Sequence, residues 1–109
     1  MDVMPQAAGH TLVVPKAASR NLLDADPAVL AKLLPVVQRV AKAVKAAFAA
    51  DGVSVFQYNE AAGGQSVFHL HIHVVPRHDG VPLGRHSDTM EDNAVLAANA
   101  AKVRAALGA

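Results

Sequence analysis

Apolar and polar positions alternate strictly from Val67 to Val75: Val67, His69, His71, His73 and Val75 interleave with Phe68, Leu70, Ile72 and Val74. A period of two is the strand period, and it sends successive side chains to opposite faces. The stretch Gln65–Arg77 therefore predicts a strand with three histidines on one face and an apolar stripe on the other, ended by Pro76. A different period holds between Asp26 and Ala50. Leu30, Leu33, Leu34, Val37, Val40, Ala41, Val44, Ala47 and Phe48 recur at spacings of three and four, which predicts an amphipathic helix. Asp26-Pro27 supplies an N-cap and a first-turn proline. Lys32, Arg39, Lys42 and Lys45 fall largely outside the apolar stripe and read as a solvated face. Pro35 should kink the helix or divide it in two, and Asp51-Gly52 should end it with a left-handed glycine.

Shorter patterns fill in the rest. His10 to Pro15 and Val53 to Tyr58 read as strands, and Lys16 to Asp26 as a loop with a turn at Asn21–Asp24. Asn59 to Gly64 is a glycine-containing connection that either brings backbone N–H groups to an anion or simply punctuates a hairpin. Arg77 to Asp88 reads as a surface segment, with His78 and His86 as ordinary exposed histidines. An Ala-rich helix follows, capped by Asp92 and stopped at Gly108. The predicted class is α+β: one domain over residues 1–109, with the long helix packed on the apolar face of an antiparallel sheet and a helix at the C-terminus.

Composition narrows the possibilities. The 109 residues suit one core, 52% are hydrophobic but only 4% aromatic, and there is no cysteine. The core must rest on aliphatic residues, with the one Tyr and three Phe expected mostly inside it. Disulfides and thiolate metal sites are excluded. A net charge of +1 gives no reason to expect nucleic acid or a membrane surface. The first residues lack a basic start and an apolar run, so the expectation is a soluble cytoplasmic protein.

Three alternating imidazoles point to chemistry. Zinc is one option, since histidine is the commonest metal ligand and zinc takes three or four such groups. On an extended strand, however, His69 and His73 lie roughly 13 Å apart at about 3.3 Å per residue. Zn–N bonds measure only about 2 Å, so the two cannot share an ion unless the backbone bends. No metal and no cofactor is expected. Without a metal, the middle imidazole can attack an electrophile and its neighbours can donate protons or hold anions.

These residues resemble the histidine triad (HIT) family of nucleotidyl hydrolases and transferases. His69 to Val75 fits every position of the family pattern His-φ-His-φ-His-φ-φ, where φ is apolar. Gly64-Gln65-Ser66-Val67, Pro76-Arg77 and the run from Gly9-His10 to Pro15-Lys16 are similar as well. The resemblance implies nucleotidyl transfer from a nucleoside phosphate through a covalent nucleotidyl-histidine, with no cofactor and in a homodimer. By position, His71 falls on the nucleophile, His73 on the group facing phosphate and leaving group, and His69 and His10 on supporting places. Gln65 and Ser66 fall in the phosphate pocket. His71 would need its other ring nitrogen held by an acceptor, usually a backbone carbonyl.

Two departures from the family stand out. Where relatives carry an amide seven residues before Gln65, this chain has Tyr58, with Asn59 one place later. Either the loop returns Asn59 to the phosphate or that contact is missing. Asp2-Val3-Met4-Pro5 matches a family segment normally preceded by a hairpin of roughly thirty residues, short of a normal domain. Its absence is expected to weaken nucleoside binding relative to an extended chain. Pro76-Arg77 is closer to the branches acting on dinucleoside polyphosphates than to the phosphoramidases. The alternatives are a nucleotide-binding or dimerising protein with little turnover, and a metal-dependent hydrolase using the histidine row.

Overall fold

A computed structural model describes residues 1–84 and 90–108. The fold is α+β. Strand β1 (Thr11–Val13) is followed by helix α1 (Pro27–Ala47), strands β2 (Gly52–Phe56) and β3 (Ile72–Arg77), and helix α2 (Asn93–Leu107). The sheet is antiparallel with β3 in the middle, in the order β1-β3-β2. The surface histidine His86 of the sequence reading lies outside the described residues.

Helix α1 begins as its sequence dictates: the Asp26 carboxylate accepts from the Ala28 N–H at 2.8 Å, and Pro27 fills the first turn. It runs through Pro35 as a single element, so the division into two helices does not occur. It also ends earlier than expected. Phe48 is the C-cap, Ala49 takes the left-handed conformation (φ 47°), and Gly52 instead opens β2. Helix α2 matches its reading at both ends, with Asp92 accepting from Ala94 N–H and Gly108 left-handed.

Leu33, Val37, Ala43 and Val44 of α1 meet Val13, Leu70, Val74 and Val103 in the core. Val44 and Val74 are fully buried, and each such side chain contributes about 1.5–3 kcal/mol by leaving water. Leu34 does not join them. It is 67% exposed and lines a groove of about 680 Å³ with Leu30, Pro35, Gln38 and Val55. Among the described residues, no helix is long and apolar enough to cross a membrane.

The predicted central strand is shorter at one end and longer at the other. β3 starts only at Ile72, so His69 and His71 precede it. The cause lies in where the backbone groups before it find partners. Val67 O accepts from the Gln65 amide, Leu70 N–H donates to Ser19 O, and His69 O accepts from the His71 ring. Groups satisfied in this way cannot join a ladder. At the far end, β3 continues through Pro76 to Arg77. Its pairing with β1 stops at Val74 while β2 continues opposite, so among the described residues the strand at Pro76 has a neighbour on one side only. Proline is tolerated where a strand has an open side.

Candidate functional site

Three elements bring the chemistry together. β3 presents His73, β1 begins directly after His10, and the bent segment before β3 carries His71. They meet at a cavity of about 570 Å³, whose polar lining includes Asp2, Gln65, Ser66, His71 and His73. Its apolar wall comes from Val3, Met4, Leu12, Tyr58 and Val67.

The His71 ring is fixed by a bond of 2.7 Å between Nδ1 and the His69 carbonyl. A carbonyl only accepts, so Nδ1 carries the proton and the lone pair of the neutral ring lies on Nε2. The His71 and His73 ring centres are 4.9 Å apart. His73 Nδ1 lies 2.8 Å from His10 Nε2, and Asp2 Oδ2 lies 3.3 Å from that same His10 nitrogen. His10 is almost completely buried. Phe56 is the β2 residue opposite His73 and stacks on its ring at 4.6 Å and 12°.

The remaining sequence candidates fall in different places. His69 turns away to the Pro15 carbonyl, at 2.8 Å, and is not part of the cavity lining. The row of three imidazoles on one strand face is thus a pair at the cavity plus a third that ties two segments together. Gln65 is buried with its side chain occupied: Oε1 accepts from Asn21 and from Glu60 N–H, and Nε2 donates to the Arg20 and Val67 carbonyls. It organises the loop, and as it stands its amide has no donor to spare for a phosphate. Ser66 lies in the lining and is exposed. Asn59 does not return to the cavity. Its amide bonds Leu22 N–H and the Gln57 side chain.

The aromatic residues were expected mostly in the core, and the structure puts them elsewhere. Only Phe48 packs against it. Phe56 and Tyr58 flank His73, and Phe68 is 44% exposed beneath the Arg20 guanidinium, 4.2 Å from its ring centre. The alternation Ser54, Phe56, Tyr58 was visible in the sequence. Only the register of β2 on β3 reveals that this face meets His73. Gln6 gave no signal of its own, and Asp2 and Asn21 were legible only as parts of a segment and a turn, because their contacts are with distant backbone and side-chain groups.

A second network braces the site. Glu60 takes a bidentate contact from Arg20 and a bond from Asn21, and Asp24 accepts the N–H groups of Arg20 and Asn21. The Arg20 bond first, then Asn21, holds the Glu60 carboxyl below its usual range. The Asn21 and then Arg20 N–H groups do the same for Asp24. A lowered folded pKa gives a contribution that is present above the ordinary carboxylate range and lost as pH falls through the lowered values. Acidification below about pH 4 is expected to loosen the loops at residues 19–24 and 59–65 before the sheet. Faster amide exchange at Leu23, ahead of Val74, would register it; simultaneous loss would refute it.

The sequence matches the HIT domain over residues 1–80. The structure superimposes on a Hit-like protein involved in cell-cycle regulation from Bartonella henselae with a TM-score of 0.92 and 53% identity, over 97% of this chain and 76% of that one. A zinc-bound histidine triad family protein from Mycobacterium smegmatis gives 0.84 and 37%, over 99% and 75%. The adenosine 5'-monophosphoramidase of Saccharomyces cerevisiae is 35% identical over 79 residues, 72% of this chain and 48% of that protein. The chain therefore belongs to the HIT family, whose members include nucleotide hydrolases and transferases. It spans about half the length of the curated relatives it matches.

The zinc in the mycobacterial relative raises the question of fit. Among the described residues, Asp2, His10 and His73 place three donor atoms within 4.8 Å of one another. His10 Nδ1, however, accepts the Gln6 N–H at 3.1 Å, so the ring proton sits on Nε2, the atom facing the other two donors. That proton occupies the lone pair a metal would need. As they stand, these residues do not fit a metal.

Proposed function

We propose that this chain is a nucleotidyl hydrolase or transferase acting through His71. Nε2 of His71 attacks the α-phosphorus of a nucleoside phosphate. A P–N bond forms as the bond from phosphorus to the leaving group breaks, and His73 gives the leaving group its proton. Water then attacks the phosphorus and gives its proton to His73 as the P–N bond breaks, which releases the nucleoside monophosphate and restores both histidines. The ring gains positive charge when it bonds phosphorus, and the His69 carbonyl on Nδ1 stabilises that charge. The apolar wall of Val3, Met4, Leu12, Tyr58 and Val67 suits a nucleoside, with the phosphate directed to the histidines. His69 and His10 serve as supports. Ser66 and the backbone beside Gln65, both at the cavity lining, are the proposed phosphate donors.

The observation that carries this reading is the 2.7 Å bond that leaves a lone pair on a histidine lining the cavity. The yeast relative supports a nucleoside phosphoramidate as the first substrate to test; Pro76-Arg77 makes a dinucleoside polyphosphate the second. Acid-quenched protein is expected to carry one nucleotide on His71 by intact mass. Saturating binding with neither adduct nor product would make the chain a nucleotide-binding protein instead. Turnover of the phosphoramidate should be unchanged by EDTA. Activity lost to chelator and restored by zinc would favour the metal-dependent alternative.

The working unit is proposed to be a homodimer. β2 is an edge strand of the three-stranded sheet, and its Val55 (49% exposed) lines an apolar groove with Leu34 of α1 (67% exposed). An exposed edge with an apolar flank is a pairing surface, and a two-fold copy would cover both at once. Light scattering is expected to show two chains for the parent and one for Leu34→Asp. A monomeric parent would overturn the dimer.

A further inference from the structure

Gln6 belongs to neither histidine motif, yet it is bonded in three directions. Its N–H donates to His10 Nδ1 at 3.1 Å. Its carbonyl accepts the Gly84 N–H at 3.0 Å, and its side-chain amide donates to the Gly84 carbonyl at 3.1 Å. The fit at Gly84 is close, since a Cβ there would stand 2.3 Å from the Gln6 oxygen. A second tie joins the same two segments, from Glu91 N–H to Val3 O at 2.8 Å. Gly84 and Glu91 are thus each tied to the segment that precedes His10.

This clamp has a consequence for protons. A backbone N–H can only donate, so His10 Nδ1 must accept and the His10 proton must sit on Nε2. That nitrogen faces His73 Nδ1 at 2.8 Å and Asp2 Oδ2 at 3.3 Å. His73 Nδ1 therefore accepts, and the proton of a neutral His73 sits on Nε2. We propose that Gln6, clamped by Gly84, is a positioning residue: its peptide N–H sets the tautomer of His10 and, through it, makes His73 a donor at Nε2. Its catalytic consequence rests on the nucleotidyl-transfer reading, in which His73 protonates the leaving group. A histidine protonated on Nδ1 instead would present a lone pair where a donor is needed. The tautomers themselves can be observed without any turnover.

The test is nitrogen NMR of histidine-labelled protein at a pH where the rings are neutral. In the parent, His10 and His73 should each show a bare Nδ1 and a protonated Nε2, while His71 shows the reverse. A parent His10 protonated on Nδ1 would overturn the proposal outright. In Gly84→Ala, the added Cβ displaces the Gln6 peptide, so His10 and His73 should become tautomer mixtures while His71 keeps its pattern. On a phosphoramidate substrate, kcat should fall about tenfold, roughly one decade of rate, with KM changed less. Should Gly84→Ala fail to fold, Gln6→Ala removes only the side-chain arm of the clamp and should give a smaller mixing of the same kind. If the folded variant keeps the parent tautomers, Gln6 and Gly84 are structural only. A parent with the expected tautomers and no turnover would instead remove the enzymatic reading and leave the clamp intact.

Discussion

His71→Ala is expected to abolish nucleotide adduct formation and to lower kcat on a phosphoramidate by at least about a hundredfold, roughly 2.7 kcal/mol at about 1.36 kcal/mol per decade. The ring is half-buried, lines the cavity and takes no part in the core cluster, so removing it should leave the fold intact. The loss is large because a covalent route ends with its nucleophile. Its Nδ1 bond to the His69 carbonyl also disappears, but a carbonyl beside an open cavity can be satisfied by solvent. Rate and thermal stability should therefore separate. Retention of more than about a tenth of the parent rate, within that same decade scale, would remove His71 from the nucleophile's role. A fall in rate matched by unfolding would be corrected by His71→Asn, which keeps a side-chain donor near the carbonyl and has no nucleophilic ring.

Gly9→Ala should give the largest loss of stability. Gly9 has φ +89°, and a Cβ there would stand 2.6 Å from the Phe48 ring. Left-handed backbone costs a non-glycine residue about 1–2 kcal/mol, and forcing atoms into a filled site typically costs about 1–3 kcal/mol more. The sum is roughly 2–5 kcal/mol, which corresponds to a fall in Tm of about 10 °C or more at this size. Activity should fall too, because Gly9 directly precedes His10, and the Asp2 N–H bonds the His10 carbonyl at 2.8 Å. Pairing Gly9→Ala with Phe48→Ala separates the two causes. The steric share should shrink in the double variant and the backbone share should remain. A Gly9→Ala protein as stable as the parent by denaturant titration would show that the loop moves freely and does not hold His10.

Both predictions join features read in the sequence to features that only folding created. Asp26-Pro27 and Asp92 start their helices because caps act within a few residues, so local sequence is sufficient. The spacings of three and four placed Leu33, Val37 and Val44 on one helix side, and all three are buried. Leu34 shares that pattern and is exposed, because a period specifies a stripe and not what covers its margin. The alternation His69, His71, His73 picked out two residues that line the cavity, His71 and His73, and misplaced the geometry of the row. Alternation describes an extended chain, and the Gln65 amide, the Ser19 carbonyl and the His71 ring bend this one before β3 begins.

The sequence by itself determined the α+β class, the helix starts, the aliphatic core and the HIT membership carried by His69–Val75 and Gly9–Lys16. Those rest on local propensity, on periodicity and on residue types in fixed order. Only the tertiary structure decided that His10 meets His73 across 63 positions, that Phe56 and Tyr58 flank the site, and that Gly84 holds Gln6 against the His10 ring. The physical reason is the range of the interactions. A cap or a stripe is set by neighbours within a turn or two, whereas the partner of a buried imidazole is fixed only when the packing of the whole sheet brings distant donors and acceptors within hydrogen-bond reach.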